Sequence, residues 1–235
     1  MLLFLAFALG LSQVSIAQVG LDNRQGSKIP TNEIHLIDDA GKNVVLDSYF
    51  HQGRPVLLTL IYFGCPGPCS VVLNHFVAAL KRVGASAGYG FDVVVVSIDP
   101  GEKPELARAK KEIYLKQYER LETANAWHFL TGSEGDINKL SEGLGFHYEH
   151  DSNTGVLTHP SAVFVLSQEG VLTQTLSGQD FPKKEVIASL YKASHGIVAN
   201  AFIRFSEICS PYVPGPLRSM ARRIYFIFAS PLKDR

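Results

Sequence analysis

Cysteine is scarce in this sequence, with three residues among 235. So few cysteines exclude a small scaffold stapled by several disulfide bonds, and they leave a hydrophobic core as the source of stability. An excess of charge of one sign is lacking too, because 22 Lys and Arg balance 22 Asp and Glu. Without a positive field to attract phosphates, nucleic acid is not an expected partner. No internal repeat or low-complexity segment interrupts the chain.

Apolar runs long enough to cross a membrane are absent from the sequence, since a spanning helix needs about 20 residues. The N-terminal run, residues 2–11, is shorter than that. It turns polar at Ser12, and Ser15 and Ala17 place small residues where a signal peptidase cleaves. We therefore predict a signal peptide over residues 1–17 and export to the periplasm, free or associated with the outer face of the inner membrane. A buried N-terminal core segment is the alternative.

Strand and helix patterns alternate over most of the remaining chain. Continuous apolar runs at 55–63 and 91–98 are typical of strands buried on both faces. Residues 33–50 predict a β-hairpin around a turn at 38–41. Further strands are predicted at 127–130, 163–166 and 171–176, and helices beginning at Ser70, Pro104, Ser133 and Pro182. This order predicts an α/β, thioredoxin-like fold: a central mixed sheet flanked by helices, with an N-terminal β-hairpin extension.

A cysteine pair carries the most specific chemical signal. Cys65 and Cys69 enclose Pro66-Gly67-Pro68, directly after a predicted strand and at the start of a predicted helix. Their i, i+4 spacing predicts that both sulfurs lie on one face of the first helical turn. The unsatisfied N–H groups and partial positive charge of a helix N-terminus favour thiolate, so at least one of the two should have a lowered pKa. Such a pair either exchanges with a disulfide or binds a soft metal ion.

A histidine before a predicted strand is the candidate third ligand. His159 precedes Pro160 and the strand at 163–166, and in thioredoxin-like domains the residue before a strand-initiating proline faces the cysteine pair. Two thiolates and one imidazole suit Cu(I), and a fourth ligand would allow Cu(II). Structural zinc is disfavoured, because no fourth Cys or His stands at a zinc-finger spacing.

The remaining candidate ligands are given other roles. His147 and His150 are interpreted as part of a solvated loop, with a relay of metal or protons as the alternative. Cys209 is expected to be a buried or capped thiol, with a disulfide between chains as the alternative. It lies in a segment from residue 196 onward that contains four prolines, a basic patch and a short apolar run. We interpret this segment as a tail that packs on the domain or lies along a surface.

Four segments together resemble the SCO/SenC family. They are residues 55–76 (PVLLTLIYFGCPGPCSVVLNHF), 93–118 (VVVVSIDPGEKPELARAKKEIYLKQY), 127–146 (WHFLTGSEGDINKLSEGLGF) and 158–170 (THPSAVFVLSQEG). Members of this family are copper-binding, thioredoxin-like assembly factors of cytochrome c oxidase, and the likeness is to the bacterial branch. It extends over about residues 19–195, so we expect one SCO/SenC domain at 18–195 and a C-terminal extension of unknown role at 196–235.

The resemblance implies a copper site and a partner. Copper, as Cu(I) or Cu(II), would be bound by Cys65, Cys69 and His159. The Asp99-Pro100 pair matches the family's Asp-Pro after the second buried strand, which implies that Asp99 lies near the site and supports the ligands or contacts a partner; a plain turn residue is the alternative. The implied partner is the copper-accepting subunit of cytochrome c oxidase, with another periplasmic copper chaperone or a thiol reductant as further candidates.

Two functions follow from these residues. The leading one is a metallochaperone, which binds and delivers copper to cytochrome c oxidase during its assembly rather than turning over a substrate. The alternative is a thiol–disulfide reductase that keeps the copper-ligand cysteines of the oxidase reduced, for which Cys65 and Cys69 are the redox pair and His159 is dispensable. A peroxiredoxin-like peroxidase is disfavoured, because Tyr62 stands where such enzymes carry Thr. A purely structural disulfide is a further, weaker alternative.

Overall fold

The computed structural model describes residues 19–65, 68–151, 156–178 and 180–198, with the side chains of residues 68–70 outside the description. The strands are β1 (Gly20–Leu21), β2 (His35–Ile37), β3 (Asn43–Val45), β4 (Val56–Ile61), β5 (Asp92–Ser97), β6 (Trp127–Gly132), β7 (Phe146–His147), β8 (Glu149–His150), β9 (Leu157–Thr158), β10 (Ala162–Leu166) and β11 (Leu172–Ser177). The helices are α1 (Pro68–Arg82), α2 (Pro104–Tyr118), α3 (Glu134–Leu144) and α4 (Lys183–Ser194). The predicted signal peptide and Cys209 lie outside the described residues.

A mixed sheet forms the centre of the described chain, with strand order β11-β10-β4-β5-β6-β2-β3. The three central strands β4, β5 and β6 run parallel, and both flanks are antiparallel to them. Every residue of β4 and of β5 is buried, as expected of strands covered by helices on both faces. The predicted α/β, thioredoxin-like architecture is confirmed, and the predicted hairpin at the N-terminal side is present as β2–β3, attached to β6.

Two hydrophobic clusters fill the space on either side of the sheet. One packs α1, α2 and α4 against one face and includes Phe76, Trp127 and Phe129. The other packs α3 and the N-terminal residues against the opposite face and includes Leu36 and Phe164. The core therefore holds in place the strands that lead to the candidate site residues. Cys65 follows β4, Asp99 follows β5 and His159 precedes β10.

Helix ends follow the capping rules read from the sequence. Ser133 caps α3, where its Oγ accepts a hydrogen bond from the Asp136 N–H at 3.2 Å. Gly145 ends that helix in the left-handed region at φ 68°. A Cβ at this position would approach the Asp22 carbonyl oxygen to 2.9 Å, so glycine is needed both for its conformation and for space.

A buried ion pair lies at the end of the central parallel strands opposite to the cysteines. Asp92, at the start of β5, is 2% exposed, and its Oδ2 lies 2.6 Å from Arg54 Nε. Arg54 Nη2 also donates a hydrogen bond of 3.1 Å to Asp92 Oδ1, so two nitrogen–oxygen contacts join the pair. Burial raises the pKa of Asp92 even though Arg54 acts to lower it.

No helix within the described residues is both long enough and apolar enough to cross a membrane.

Candidate functional site

Cys65 lies between β4 and α1, at the carboxyl end of a central strand. Its side chain is buried, with 7% of the residue exposed. The helix begins at Pro68, so Cys65 precedes the first helical turn while Cys69 falls within it. The expectation that both cysteines share one face of that turn is therefore wrong for Cys65. The physical reason is the following proline, because the ring of Pro66 disfavours the helical conformation at the residue before it.

A carboxylate from the next loop holds the backbone that leads into Cys65. Glu102 Oε2 accepts a hydrogen bond from the Phe63 N–H at 2.8 Å, and Oε1 accepts one from the Gly64 N–H. The Ser97 hydroxyl donates to Glu102 Oε2 at 2.5 Å. The first two bonds join the loop after β5 to the loop after β4, and the third anchors Glu102 to the end of β5. Sequence reasoning missed Glu102, because nothing in the local pattern shows that it meets a segment 38 residues earlier.

His159 lies beside the same segment. Because β10 is antiparallel to β4, the residues shortly before β10, which begins at Ala162, fall next to the residues after β4. The ring of His159 contacts that of Tyr62 edge-on, with centroids 6.1 Å apart, and that of Phe146, with centroids 6.0 Å apart. The structure thus brings His159 to the segment that carries Cys65, as predicted from its place before Pro160.

The protonation of His159 follows from its surroundings. Its Nδ1 lies 2.9 Å from the Pro160 carbonyl oxygen, and because a carbonyl can only accept, Nδ1 is the donor. Nε2 then carries the lone pair of a neutral imidazole. Burial lowers the pKa of His159, while the bond to Pro160 acts in the opposite direction. The imidazole is therefore neutral at physiological pH, and Nε2 is the ring nitrogen with the chemistry to bind a metal.

The third predicted ligand is placed only through its backbone. Cys69 occupies the first turn of α1, and its sulfur belongs to the side chains outside the description. Within the described residues, accordingly, no group of three or more His, Cys, Asp and Glu side chains is arranged around one metal position. The described donors, a buried sulfur and a neutral imidazole, fit a soft or borderline cation such as copper.

Asp99 stabilises the turn in the loop after β5. Its Oδ1 accepts a hydrogen bond from the Gly101 N–H at 2.8 Å, and its own N–H donates to Ser97 Oγ at 3.0 Å. This is the turn role considered for Asp99 from the sequence. The same loop carries Glu102, so Asp99 shapes the segment from which Glu102 reaches the Cys65 backbone.

The two histidines predicted in a solvated loop lie in short strands instead. His147 belongs to β7, and His150 belongs to β8, which pairs with β9. Strands of two residues fall below what a sequence pattern can signal. His147 Nε2 lies 2.9 Å from Asp22 Oδ2, and this bond lowers the pKa of Asp22. His147 therefore binds the N-terminal segment through Asp22, whereas His150 is exposed.

Comparison with known proteins decides the relationship. The family model SCO1/SenC matches residues 23–195. The chain belongs to the SCO1/SenC family. The resemblance read from the four sequence segments is therefore confirmed. Among curated proteins, none matches the chain.

Solved structures similar to this SCO1/SenC protein share its fold at low identity. A protein of Aquifex aeolicus has a TM-score of 0.63 and 22% identity, covering 74% of this chain and 95% of its own. Arabidopsis thaliana ScoI with copper bound has a TM-score of 0.54 and 20% identity over 68% and 96% of the two chains. BsSco, described with a disulfide switch and as a member of the Sco family of cytochrome c oxidase assembly proteins, has a TM-score of 0.56 and 20% identity over 74% and 97%.

Proposed function

We propose that this SCO1/SenC protein is a metallochaperone, which binds copper through Cys65, Cys69 and His159 and delivers it to the copper-accepting subunit of cytochrome c oxidase. The observation that carries the proposal is the neutral His159 beside the Cys65 segment, with Nδ1 tied to Pro160. A thiol–disulfide enzyme has no need of an imidazole whose tautomer is selected in this way. Family membership and the copper bound to the ScoI relative support the same conclusion.

The donor set suits a cargo that must be released again. Thiolate sulfur and imidazole nitrogen bind Cu(I) as a three-coordinate ion, which leaves a position at which an acceptor's ligand can attach. Copper would then pass by stepwise ligand exchange inside a docked complex, with each incoming acceptor ligand replacing one of this chain's ligands. The copper keeps its oxidation state, so the transfer consumes no reductant. Asp99 would contribute by shaping the loop at this edge or by contacting the acceptor.

A thiol–disulfide reductase is the second candidate, favoured by the cysteine pair at a helix start and by the disulfide switch named for BsSco. In this reaction the Cys65 and Cys69 thiols give two electrons and two protons to a partner disulfide. The partner becomes a dithiol, while this chain acquires a Cys65–Cys69 disulfide that a thiol reductant must reduce. A second copper chaperone would be a partner only in the delivery function.

The proposal also includes the compartment in which the protein acts and the residues that form the functional domain. Export to the periplasm after removal of residues 1–17 would place Cys65 and Cys69 outside the cytoplasm, where a reduced pair needs protection by a metal or by a reductant. The SCO1/SenC domain would extend over residues 18–195, and residues 196–235 would form an extension outside the copper chemistry.

Replacing His159 separates the two functions. With reduced protein and one equivalent of Cu(I), we expect His159→Ala to weaken copper binding by at least about 10-fold, because losing even a hydrogen-bonding neighbour of a metal ligand costs that much. The rate at which the cysteine pair reduces a model disulfide should stay within about twofold of the wild type. Affinity is measured by competition with a chromophoric Cu(I) chelator.

The matched control is His150→Ala, since His150 is exposed on β8 and is not a proposed ligand. It should leave both copper affinity and disulfide reduction unchanged. If His159→Ala binds copper as tightly as the wild type, the delivery site is wrong and the reductase becomes the function to pursue.

A further inference from the structure

We propose that Glu102 is the positioning residue for Cys65, and that its bonds to the Phe63 and Gly64 N–H groups set the affinity of the site for copper. Glu102 touches neither proposed ligand sulfur nor His159 in the bonds described above. It acts on the backbone one and two residues before Cys65. The effect of Glu102 on copper affinity rests on the proposed copper site. Its effect on the position of Cys65 does not, and is tested without copper.

The geometry shows why one carboxylate controls this segment. Strand β4 ends at Ile61, and α1 begins at Pro68, so the intervening backbone cannot bond within either element. The N–H group of Phe63, a residue 1% exposed, would then lack a partner, whereas the N–H of the exposed Gly64 is held by Glu102 instead of by solvent. A carboxylate supplies two acceptor oxygens at a fixed separation, which suits two consecutive N–H donors.

Glu102 is itself held from the other side. The Ser97 hydroxyl, at the end of β5, donates to Oε2, and the Glu102 N–H donates to the Asp99 carbonyl oxygen at 3.2 Å. Because β5 is the parallel neighbour of β4, the loops after these two strands meet at the same edge of the sheet. Glu102 therefore transfers the rigidity of the β5 end to the segment that carries Cys65.

Gly64 is matched to this arrangement. A Cβ on Gly64 would lie 3.1 Å from Glu102 Oε1, closer than ordinary van der Waals contact allows. A Cβ at this position therefore requires the Glu102 carboxylate to shift by a few tenths of an ångström relative to the two N–H groups. Gly64→Ala is consequently a second way to disturb the same bonds, and it leaves the charge of Glu102 in place.

The first test measures the thiol and needs no copper. In a Cys69→Ser/Cys209→Ser background, Cys65 is the single thiol that can react with iodoacetamide. Cys65 is buried while the segment is held, so Glu102→Ala should raise the alkylation rate several-fold at constant pH. Glu102→Gln keeps one acceptor oxygen, so its alkylation rate should lie between those of the wild type and Glu102→Ala. Glu105→Gln, an exposed carboxylate in the first turn of α2, is the control and should change nothing.

The second test measures copper affinity in the full chain with all cysteines present. Glu102→Ala should weaken Cu(I) binding by about 10-fold, the usual size of an effect transmitted through a ligand's supporting groups. Gly64→Ala should weaken it in the same direction, and Glu102→Gln should weaken it less. The thiolate-to-Cu(II) absorption band should shift in Glu102→Ala, which a loss of overall stability would not produce. Thermal unfolding of each variant is measured alongside.

The outcomes separate this inference from the proposed function. Wild-type protein that binds no copper would contradict the copper site, and the alkylation rates would still decide the role of Glu102. Unchanged alkylation of Cys65 in Glu102→Ala, or wild-type affinity and absorption in the same variant, would overturn the positioning role. Slower alkylation would overturn it too, since it would mean that the carboxylate opens the segment rather than holding it.

Discussion

Replacing Cys65 with serine is expected to weaken Cu(I) binding by more than about 100-fold, beyond the range seen when only a ligand's supporting group is lost. The serine hydroxyl matches the thiol in shape but is a hard, protonated donor that Cu(I) does not favour. Cys65 is buried at the end of β4. Copper retained after dialysis, quantified by metal analysis, gives the readout.

Cys209→Ser is the matched control, because it removes a thiol that the proposed site does not use. This variant should retain one copper per chain. Cys65→Ser should also keep the thermal unfolding midpoint of the apo protein within a few degrees, since a thiol-to-hydroxyl change removes little apolar volume. Retention of wild-type copper by Cys65→Ser would contradict the site, and loss of copper by Cys209→Ser would show that the tail supplies a ligand.

The second large effect concerns stability rather than copper. Arg54→Met should lower the free energy of unfolding at pH 7 by about 3–5 kcal/mol, the cost of leaving one member of a buried ion pair without its partner. The Asp92 carboxylate, 3% exposed, would keep its charge in a site that no longer contains the guanidinium. Urea unfolding followed by circular dichroism measures the loss. Arg24→Met, in an exposed pair with Asp22, should leave the free energy of unfolding close to that of the wild type.

The stability loss of Arg54→Met should depend on pH, in a direction set by the pKa of Asp92. Burial raises the pKa of Asp92 in the folded protein above its unfolded value. The raised pKa contributes stability that is fully present below the unfolded pKa and is lost as the pH rises through the folded pKa. Removing Arg54 raises the folded pKa further, so the deficit of Arg54→Met should shrink as the pH falls toward 4.

A double variant provides the check on this interpretation. Arg54→Met/Asp92→Leu removes both charges and should recover most of the lost stability, as replacement of buried pairs by apolar residues often does. A deficit that is independent of pH, and that the double variant does not reduce, would show that Arg54 contributes by packing instead.

Local signals explain which parts of the fold could be predicted. The helix at Pro104–Tyr118 has a proline at its start and a capped end, and the sequence pattern predicted that it begins at Pro104. The α3 cap at Ser133 and its end at Gly145 depend on neighbouring residues alone. Strands β4 and β5 stood out because burial on both faces leaves a nearly continuous apolar run, with Thr59 inside β4 and Asp92 and Ser97 only at the two ends of β5.

Long-range contacts explain what the sequence could not show. The bonds of Glu102 to Phe63 and Gly64, and the pairing of Arg54 with Asp92, each connect residues brought together only when β4 and β5 pair. The non-helical position of Cys65 was missed for a different reason. The i, i+4 spacing was applied without the restriction that Pro66 places on the residue before it.

The proximity of His159 to the Cys65 segment could be predicted from the order of residues along the chain, because the strand topology brings these two segments together. His159 was chosen because it precedes a proline and a strand, and the antiparallel register of β10 with β4 is what turns that order into proximity. Its ring contacts with Tyr62 and Phe146, and the bond that selects the Nδ1–H form, required the folded chain. The hydrogen-bonded support of a proposed ligand is thus the feature of the proposed metal site least visible in a single sequence.

X-ray absorption at the copper edge of the reduced, Cu(I)-loaded protein tests the central claim most directly. The account predicts two sulfur ligands and one imidazole nitrogen, with the nitrogen contribution lost in His159→Ala and one sulfur contribution lost in Cys69→Ser. A spectrum with sulfur ligands alone, or one that His159→Ala leaves unchanged, would contradict a copper site built from Cys65, Cys69 and His159.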